Sequence, residues 1–268
     1  MWLAIVIGYV RFVWQLVSGS RLASECDIAT WRARDIAPLL DPRRCWRVLD
    51  LANGRLRPQY SLLRAAGQRV CGIDLANRSR GSWVDAAYRV ARGLYNAKIL
   101  SPREQSDDGA LVCGDVGALP FPSDCFDLVT SVAAFEHFLD VPKVVAELAH
   151  VVQPGGVVWV CIHPFTSPSG GHNLGFVEIP LRHVPYSVEP WDHLRKRHLP
   201  FKVPLNEWRL LQYREVFARY FEIVNEYCAV REGEHLLTPE LQKELSAFDR
   251  DELTCGAYVI VARKTANE

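Results

Sequence analysis

The sequence predicts an α/β fold: a Rossmann-like doubly wound sheet of about seven strands, mostly parallel, with an antiparallel C-terminal strand pair. Three observations carry this. Short apolar runs ending in an acid alternate with helical stretches at the spacing of parallel β-α-β units. Those runs are continuously apolar, as expected for strands covered on both faces. Two further apolar, β-prone segments, 220–230 and 255–263, close the chain.

The elements follow in order. WRVLDL (46–51) is a first strand, and the loop ANGRL leads from it to Pro58, which opens a helix carrying Leu62, Leu63 and Ala66. Gly67 stops that helix, and RVCGID (69–74) is a second strand ending in an acid. Residues 82–98 place Val84, Ala87, Tyr88, Ala91, Leu94 and Tyr95 on one helical face. A polar break at 101–109 precedes a third strand at 110–115, and a fourth runs over 126–132. Residues 141–152 form an amphipathic helix, Pro154-Gly155-Gly156 signals a turn, and VVWVCI (157–162) is a fifth strand. A long segment, 163–204, keeps no period and holds five of the eight histidines and seven of the sixteen prolines. Loops of that length are usually functional caps or binding loops. Helix returns at 207–219, and Thr238-Pro239-Glu240 starts a short helix between the last two strands.

Lysine and arginine number 31, aspartate and glutamate 31, so the net charge is zero. That argues against a nucleic-acid binder, which needs a basic face to displace phosphate counterions. The eight cysteines include no CxxC, and no histidine pair has i,i+4 spacing, so no metal site is expected. Cys71, Cys113, Cys161 and Cys255 fall in strand-like runs and read as buried free thiols in a reducing, cytoplasmic setting. The apolar stretch Met1–Val17 carries Arg11 at its middle and is shorter than a membrane span. Residues 1–40 therefore read as an N-terminal helical segment. It packs on the domain body or, through Trp2, Phe12 and Trp14 in residues 1–20, lies at a membrane interface as a peripheral contact.

Ligands of open parallel sheets bind beyond the carboxyl ends of the strands. There the chain offers Asp50, Asp74 and Asp115. Asp74 follows Asp50 by 24 residues, a spacing suited to a carboxylate on a ribose diol. A dinucleotide would need G-x-G-x-x-G, whereas the corresponding positions are Ala52, Gly54 and Arg57.

The sequence resembles the class I S-adenosylmethionine (SAM)-dependent methyltransferases of the small methyltransferase-domain type. Val48–Leu56, VLDLANGRL, is similar to their first motif V-L-D-L-G-C-G-x-G. Gly114–Phe121 resembles G-D-x-x-x-L-P-F, Phe126–Val129 matches F-D-x-V, Glu136-His137 matches the family's E-H, and Val152–Gly156 approximates L-x-P-G-G. The resemblance covers roughly 45–163 and implies a methyltransferase domain over 41–268 with SAM as cofactor. It implies that Asp74 holds the ribose, with Leu75 beside it, and that Asp115 and Val116 face adenine. Asp50, Leu51, Ala52, Asn53, Gly54 and Ser131 complete the cofactor site. Two family glycines are replaced, by Ala52 and Leu56. Alanine fits if the backbone there has negative φ, and Leu56 is expected to narrow the approach.

The expected reaction is methyl transfer to a small-molecule or glycan acceptor, at a hydroxyl. The alternative is a decayed methyltransferase-like domain used for binding or assembly. A neutral histidine would take the acceptor's proton. His163, directly after the fifth strand, is the first candidate, then His172 beside the expected Gly170-Gly171 hinge, then His137. The run Arg195-Lys196-Arg197-His198 would, if not simply solvated, favour an anionic acceptor.

Overall fold

The computed structural model describes residues 14–15, 18–77, 83–100, 110–172, 189–197, 201 and 203–265. Most of Met1–Val17, with Trp2, Arg11 and Phe12, lies outside the described residues. So do the breaks at 78–82 and 101–109 and the loop portions 173–188 and 198–200, which include His183 and His198.

Seven strands form one sheet in the order β3-β2-β1-β4-β5-β7-β6. They are β1 (Arg47–Leu51), β2 (Arg69–Ile73), β3 (Ala110–Val112), β4 (Phe126–Val132), β5 (Val152–Ile162), β6 (Glu222–Arg231) and β7 (Cys255–Arg263). β1 pairs in parallel with β2 and β4, and β2 with β3. β6 and β7 are antiparallel, as expected. The chain order reverses at β1/β4, which places the carboxyl ends of β1 and β4 at the switch point.

By internal packing the chain divides into two units, residues 1–132 with 147–159 and 264–268, and residues 133–146 with 160–263. In the first unit α1 (Ser20–Ile36), α2 (Pro58–Ala65) and α3 (Trp83–Ile99) accompany β1–β4. Val48, Leu49, Leu51, Leu128 and Val129 are fully buried, so the continuous apolar runs lie in the core, as their pattern requires. The aspartate of Phe126-Asp127-Leu128-Val129 has a structural task. Buried, it accepts from Arg47 N (2.8 Å) and Gln153 Nε2 (2.7 Å), tying β1 and β5 to β4 at their amino ends.

Three local readings change. β5 begins at Val152 rather than 157, because Gly155 N donates to Lys264 O (2.8 Å) and Lys264 N to Gly156 O (2.9 Å), so pairing runs through the glycines. Cys113 is exposed at the end of a β3 shorter than expected, while Cys161 and Cys255 are buried as read. The loop 163–204 contains a helical turn, α5 (Asp192–Arg195), anchored by Trp191, whose fully buried Nε1 donates to the carbonyls of Thr166 and Leu253 (both 3.1 Å).

The second unit otherwise holds α4 (Val141–Val151) in part, α6 (Leu210–Phe217), α7 (Pro239–Glu244) and α8 (Arg250–Leu253). Thr238 caps α7 by accepting from Leu241 N (3.3 Å). Among the described residues no helix is long and apolar enough to cross a membrane.

Candidate active site

The first unit gathers the expected cofactor residues at the carboxyl ends of β1 and β2. Leu51 and Ser131 are fully buried, and Ser131 Oγ donates to Leu51 O (3.1 Å) across the paired strands. Asp74 Oδ2 accepts from Gly54 N (2.8 Å), closing the turn after β1. Leu75, next to it, is 70% exposed, an apolar face held out toward solvent. Asp115 is exposed and its Oδ1 caps its own turn at Gly117 N (2.8 Å), with Val116 between them.

Three polar atoms in this turn are buried yet lack hydrogen-bond partners: Asp50 Oδ2 and both amide atoms of Asn53. Such orphans are costly and call for an explanation. Gly54 has φ +64°, with no atom near the position a Cβ would take. Open space beside an unpaired carboxylate and amide fits a ligand carrying an ammonium and other polar groups, which SAM does. Burial pushes the Asp50 carboxyl up to about 7, against the lowering effect of the Arg32 guanidinium and the Tyr60 N–H. Arg32 is itself buried on α1, donates to Gln59 Oε1 (2.8 Å), and Gln59 in turn bonds Glu25 Oε2 (2.8 Å).

Two expectations about the altered glycine motif are corrected. Ala52 does not adopt negative φ; it sits at +53°, because its N–H must reach Ile73 O (2.8 Å) while the chain turns away from β1. Left-handed backbone costs an L-residue ~1–2 kcal/mol. Ala52→Gly is therefore expected to stabilise the chain by ~1 kcal/mol in urea unfolding, the glycine's own entropy offsetting part of the relief. Leu56 does not narrow the turn either. It is buried with Ala91 and Tyr95, the helix α3 supplying its pocket, and Arg55 Nη1 pairs with Asp85 of the same helix (2.8 Å).

The second unit brings together all three candidate histidines. Each follows a strand's carboxyl end in the chain: His137 in a 3-10 turn (Phe135–His137) after β4, His163 after β5, and His172 nine residues on. The chain from 163 to 172 folds back through turns closed by Ser167 N to Pro164 O (3.2 Å), Gly170 N to Ser167 O (3.0 Å) and His172 N to Ser169 O (2.9 Å). The glycines there are not a hinge. A Cβ on Gly170 would collide with the carbonyls of Pro164 and Phe165, and one on Gly171 would press on the His193 ring at 2.7 Å. They are needed for close approach.

His163 Nε2 lies 2.6 Å from Ser169 Oγ, and Ser169 Oγ donates in a short hydrogen bond to the buried Glu232 carboxylate. Because the serine has only one proton to give, His163 must donate from Nε2, which leaves the lone pair on Nδ1. Nothing in the sequence joins Ser169 to Glu232, since 63 residues separate them and neither stands in a motif. His163 stacks on His172 at 4.9 Å, and His172 meets His137 edge-on at 4.7 Å. Burial lowers His163 to about 4 and His172 to about 3, so both are neutral near pH 7.

Around His172 the polar groups are unfinished. Among the described residues no side chain hydrogen-bonds the Glu136 carboxyl, which is 1% exposed; burial raises it to about 8, against the lowering effect of its own N–H and that of His163. His172 Nε2 is buried without a partner, on a residue held at φ +50°. Donor atoms of Glu136, His137 and His172 all lie within 4.8 Å of one another.

The basic run Arg195-Lys196-Arg197 is engaged in ion pairs. Arg195 pairs with Glu189 (3.0 Å) and Glu244 (2.6 Å), Lys196 with Glu189 (2.9 Å) and Arg197 with Glu207. It offers little free charge to an anionic acceptor.

Residues 49–160 match the methyltransferase domain family. The chain is 34% identical over 158 residues to a demethylmenaquinone methyltransferase of Thermus thermophilus, covering 58% of this chain and 63% of that protein. It is 30% identical over 119 residues to an ajmaline N-methyltransferase of Rauvolfia serpentina, covering 44% and 39%. It thus spans less than two thirds of the length of these curated relatives. A solved S-adenosylmethionine-dependent methyltransferase from Mesorhizobium loti shares the fold, with a TM-score of 0.52 at 20% identity over 86% of this chain and 96% of that one.

Proposed function

Because residues 49–160 match the methyltransferase domain family, we propose that this chain is a class I SAM-dependent methyltransferase that transfers the SAM methyl group to a small hydroxylated acceptor. The observation that carries the reading is the set of buried, unpartnered atoms of Asp50 and Asn53 beside the open turn at Gly54. SAM, when bound, supplies a methyl group on a sulfonium that leaves as a neutral thioether. Asp50 and Asn53 hold its amino-acid end, Asp74 its ribose, and Leu75 with Asp115 and Val116 its adenine. Ala52 and Gly54 form the floor of that turn.

On the acceptor side His163 is the base. Its Nδ1 takes the hydroxyl proton, while its Nε2–H stays on Ser169, whose own proton is held by Glu232. In the metal-free chain His172 and His137 are the alternative bases. The names of the two relatives, for demethylmenaquinone and for ajmaline, support a small-molecule acceptor. The eight free cysteines support a reducing, cytoplasmic setting. With Leu56 packed under α3, the side chain that suggested a decayed pocket no longer argues for a purely binding domain.

Calorimetry with SAM, S-adenosylhomocysteine and NAD tests the cofactor assignment. Both sulfur ligands should bind, and tight binding of NAD alone would overturn it. Asp74→Ala should weaken SAM at least ~10-fold, since a charge-assisted hydrogen bond is worth ~1.5–3 kcal/mol. Unchanged affinity in a folded variant would remove Asp74 from the site.

A further inference from the structure

We propose that Glu136, His137 and His172 form a binding site for one divalent transition-metal ion, zinc being the natural occupant of such a donor set. Their donor atoms already lie within 4.8 Å of one another. Donors around a zinc with ~2.0–2.1 Å bonds stand ~3.4 Å apart, so side-chain rotations of about an ångström close the group.

Each residue is prepared for the task. His137 Nδ1 lies 2.9 Å from Pro204 O, and a carbonyl can only accept, so Nδ1 carries the proton and Nε2 keeps its lone pair. That Nε2 is 3.9 Å from Glu136 Oε1. A backbone carbonyl fixing the tautomer through the far nitrogen is the usual support of a metal-ligating histidine. The backbone around Glu136 is pinned as well: Asn206 N donates to Glu136 O (2.9 Å) and Asn206 Nδ2 to Phe135 O (2.7 Å). Glu136 is buried with only the N–H groups of its own backbone and of His163 facing its carboxyl, and His172 Nε2 is buried without a partner. A buried carboxyl without a side-chain partner beside an unpartnered imidazole nitrogen is costly, and one cation would offset that cost. His172 also holds left-handed backbone, a strain that a side-chain anchor would help to maintain.

Two imidazoles and a single carboxylate suit zinc, cobalt or iron and are poor for magnesium or calcium, which prefer all-oxygen shells. Three protein ligands leave a position open, as in catalytic rather than structural zinc sites. An oxygen bound there is acidified, and the His163 ring stacks on His172. The site stands on these residues and not on the methyl-transfer reading; its binding is measured without turnover.

The full-length chain, stripped with a chelator, would be titrated with Co²⁺ while its visible absorption is followed, then with Zn²⁺ in competition. Metal analysis after equilibrium dialysis gives the stoichiometry. One equivalent of Zn²⁺ per chain is expected, with micromolar or tighter affinity and a raised melting temperature. His172→Ala and Glu136→Gln should each weaken binding at least ~100-fold, whereas His150→Ala, on an exposed helix end, should not. Should His172→Ala fail to fold, His172→Asn replaces it, since asparagine tolerates the same backbone. No uptake of Zn²⁺ by the wild type, or equal affinity in the variants and wild type, would overturn the site.

Discussion

Replacing His163 by alanine is expected to lower methyl-transfer turnover ~10²–10⁴-fold, the range for loss of a general base, with SAM affinity nearly unchanged. The expectation rests on the hydrogen-bonded line His163–Ser169–Glu232, which places the lone pair on Nδ1. Transfer of labelled methyl from SAM to a panel of hydroxylated ring acceptors gives the rate, and calorimetry the affinity. Glu232→Gln should show a smaller fall in turnover, again without loss of SAM, because an amide can donate to Ser169 and so permit the wrong tautomer. A fully active His163→Ala would hand the proton to His172 or His137. If all three single variants are active, no histidine base is required.

The second large effect is a pH-dependent stability difference at Asp50. Folded, its carboxyl keeps its proton up to about 7, chiefly because it is buried; unfolded, it loses that proton near ~3.9. Between those values the unfolded state binds fewer protons, so this one group lowers stability as pH rises, at up to ~1.4 kcal/mol per unit. The groups that act on it are Arg32 and Glu25 of α1 and Asp74 after β2, with Arg32 opposing the shift and the two acids reinforcing it. Asp50→Asn has no such ionisation. Its stability relative to the wild type, from urea unfolding of the SAM-free chain, should climb between about pH 4 and pH 7 and level off above. A difference that stays flat over this range would mean that the carboxylate is solvated or paired after all.

What the sequence made legible is what local chemistry decides. Acids at the ends of apolar runs placed Asp50 and Asp74 at the same sheet edge, Pro58 opened α2, and 255–263 emerged as β7 residue for residue. What stayed hidden depends on atoms brought from far along the chain. Pro154-Gly155-Gly156 carries a turn signal, yet Lys264 pairs with those glycines and the strand continues. Gly170 and Gly171 look like freedom in a sequence and are close packing in the fold. Ala52 occupies a backbone conformation its residue type disfavours, so no propensity argument could have assigned it. Leu56 reads as an intrusion on a ligand because its pocket, on helix α3, comes from residues 35 and 39 positions further on. Spacing rules for metal ligands cover turns of one helix; Glu136 and His172 meet through two separate loops.

The link between Ser169 and Glu232 also has a bearing on the order in which the chain matures. Glu232 follows β6 directly, and its N–H is secured by Thr254 O (2.9 Å) at the start of β7. Contacts so far apart in sequence close late, because the entropy of the intervening loop has to be met before they return anything. During synthesis His163 therefore leaves the ribosome long before the carboxylate that settles its proton. The turn at 50–54, closed by Asp74 only 20 residues on, spans a far shorter loop and closes earlier. The geometry that fixes the His163 tautomer is therefore completed only when the last hairpin forms.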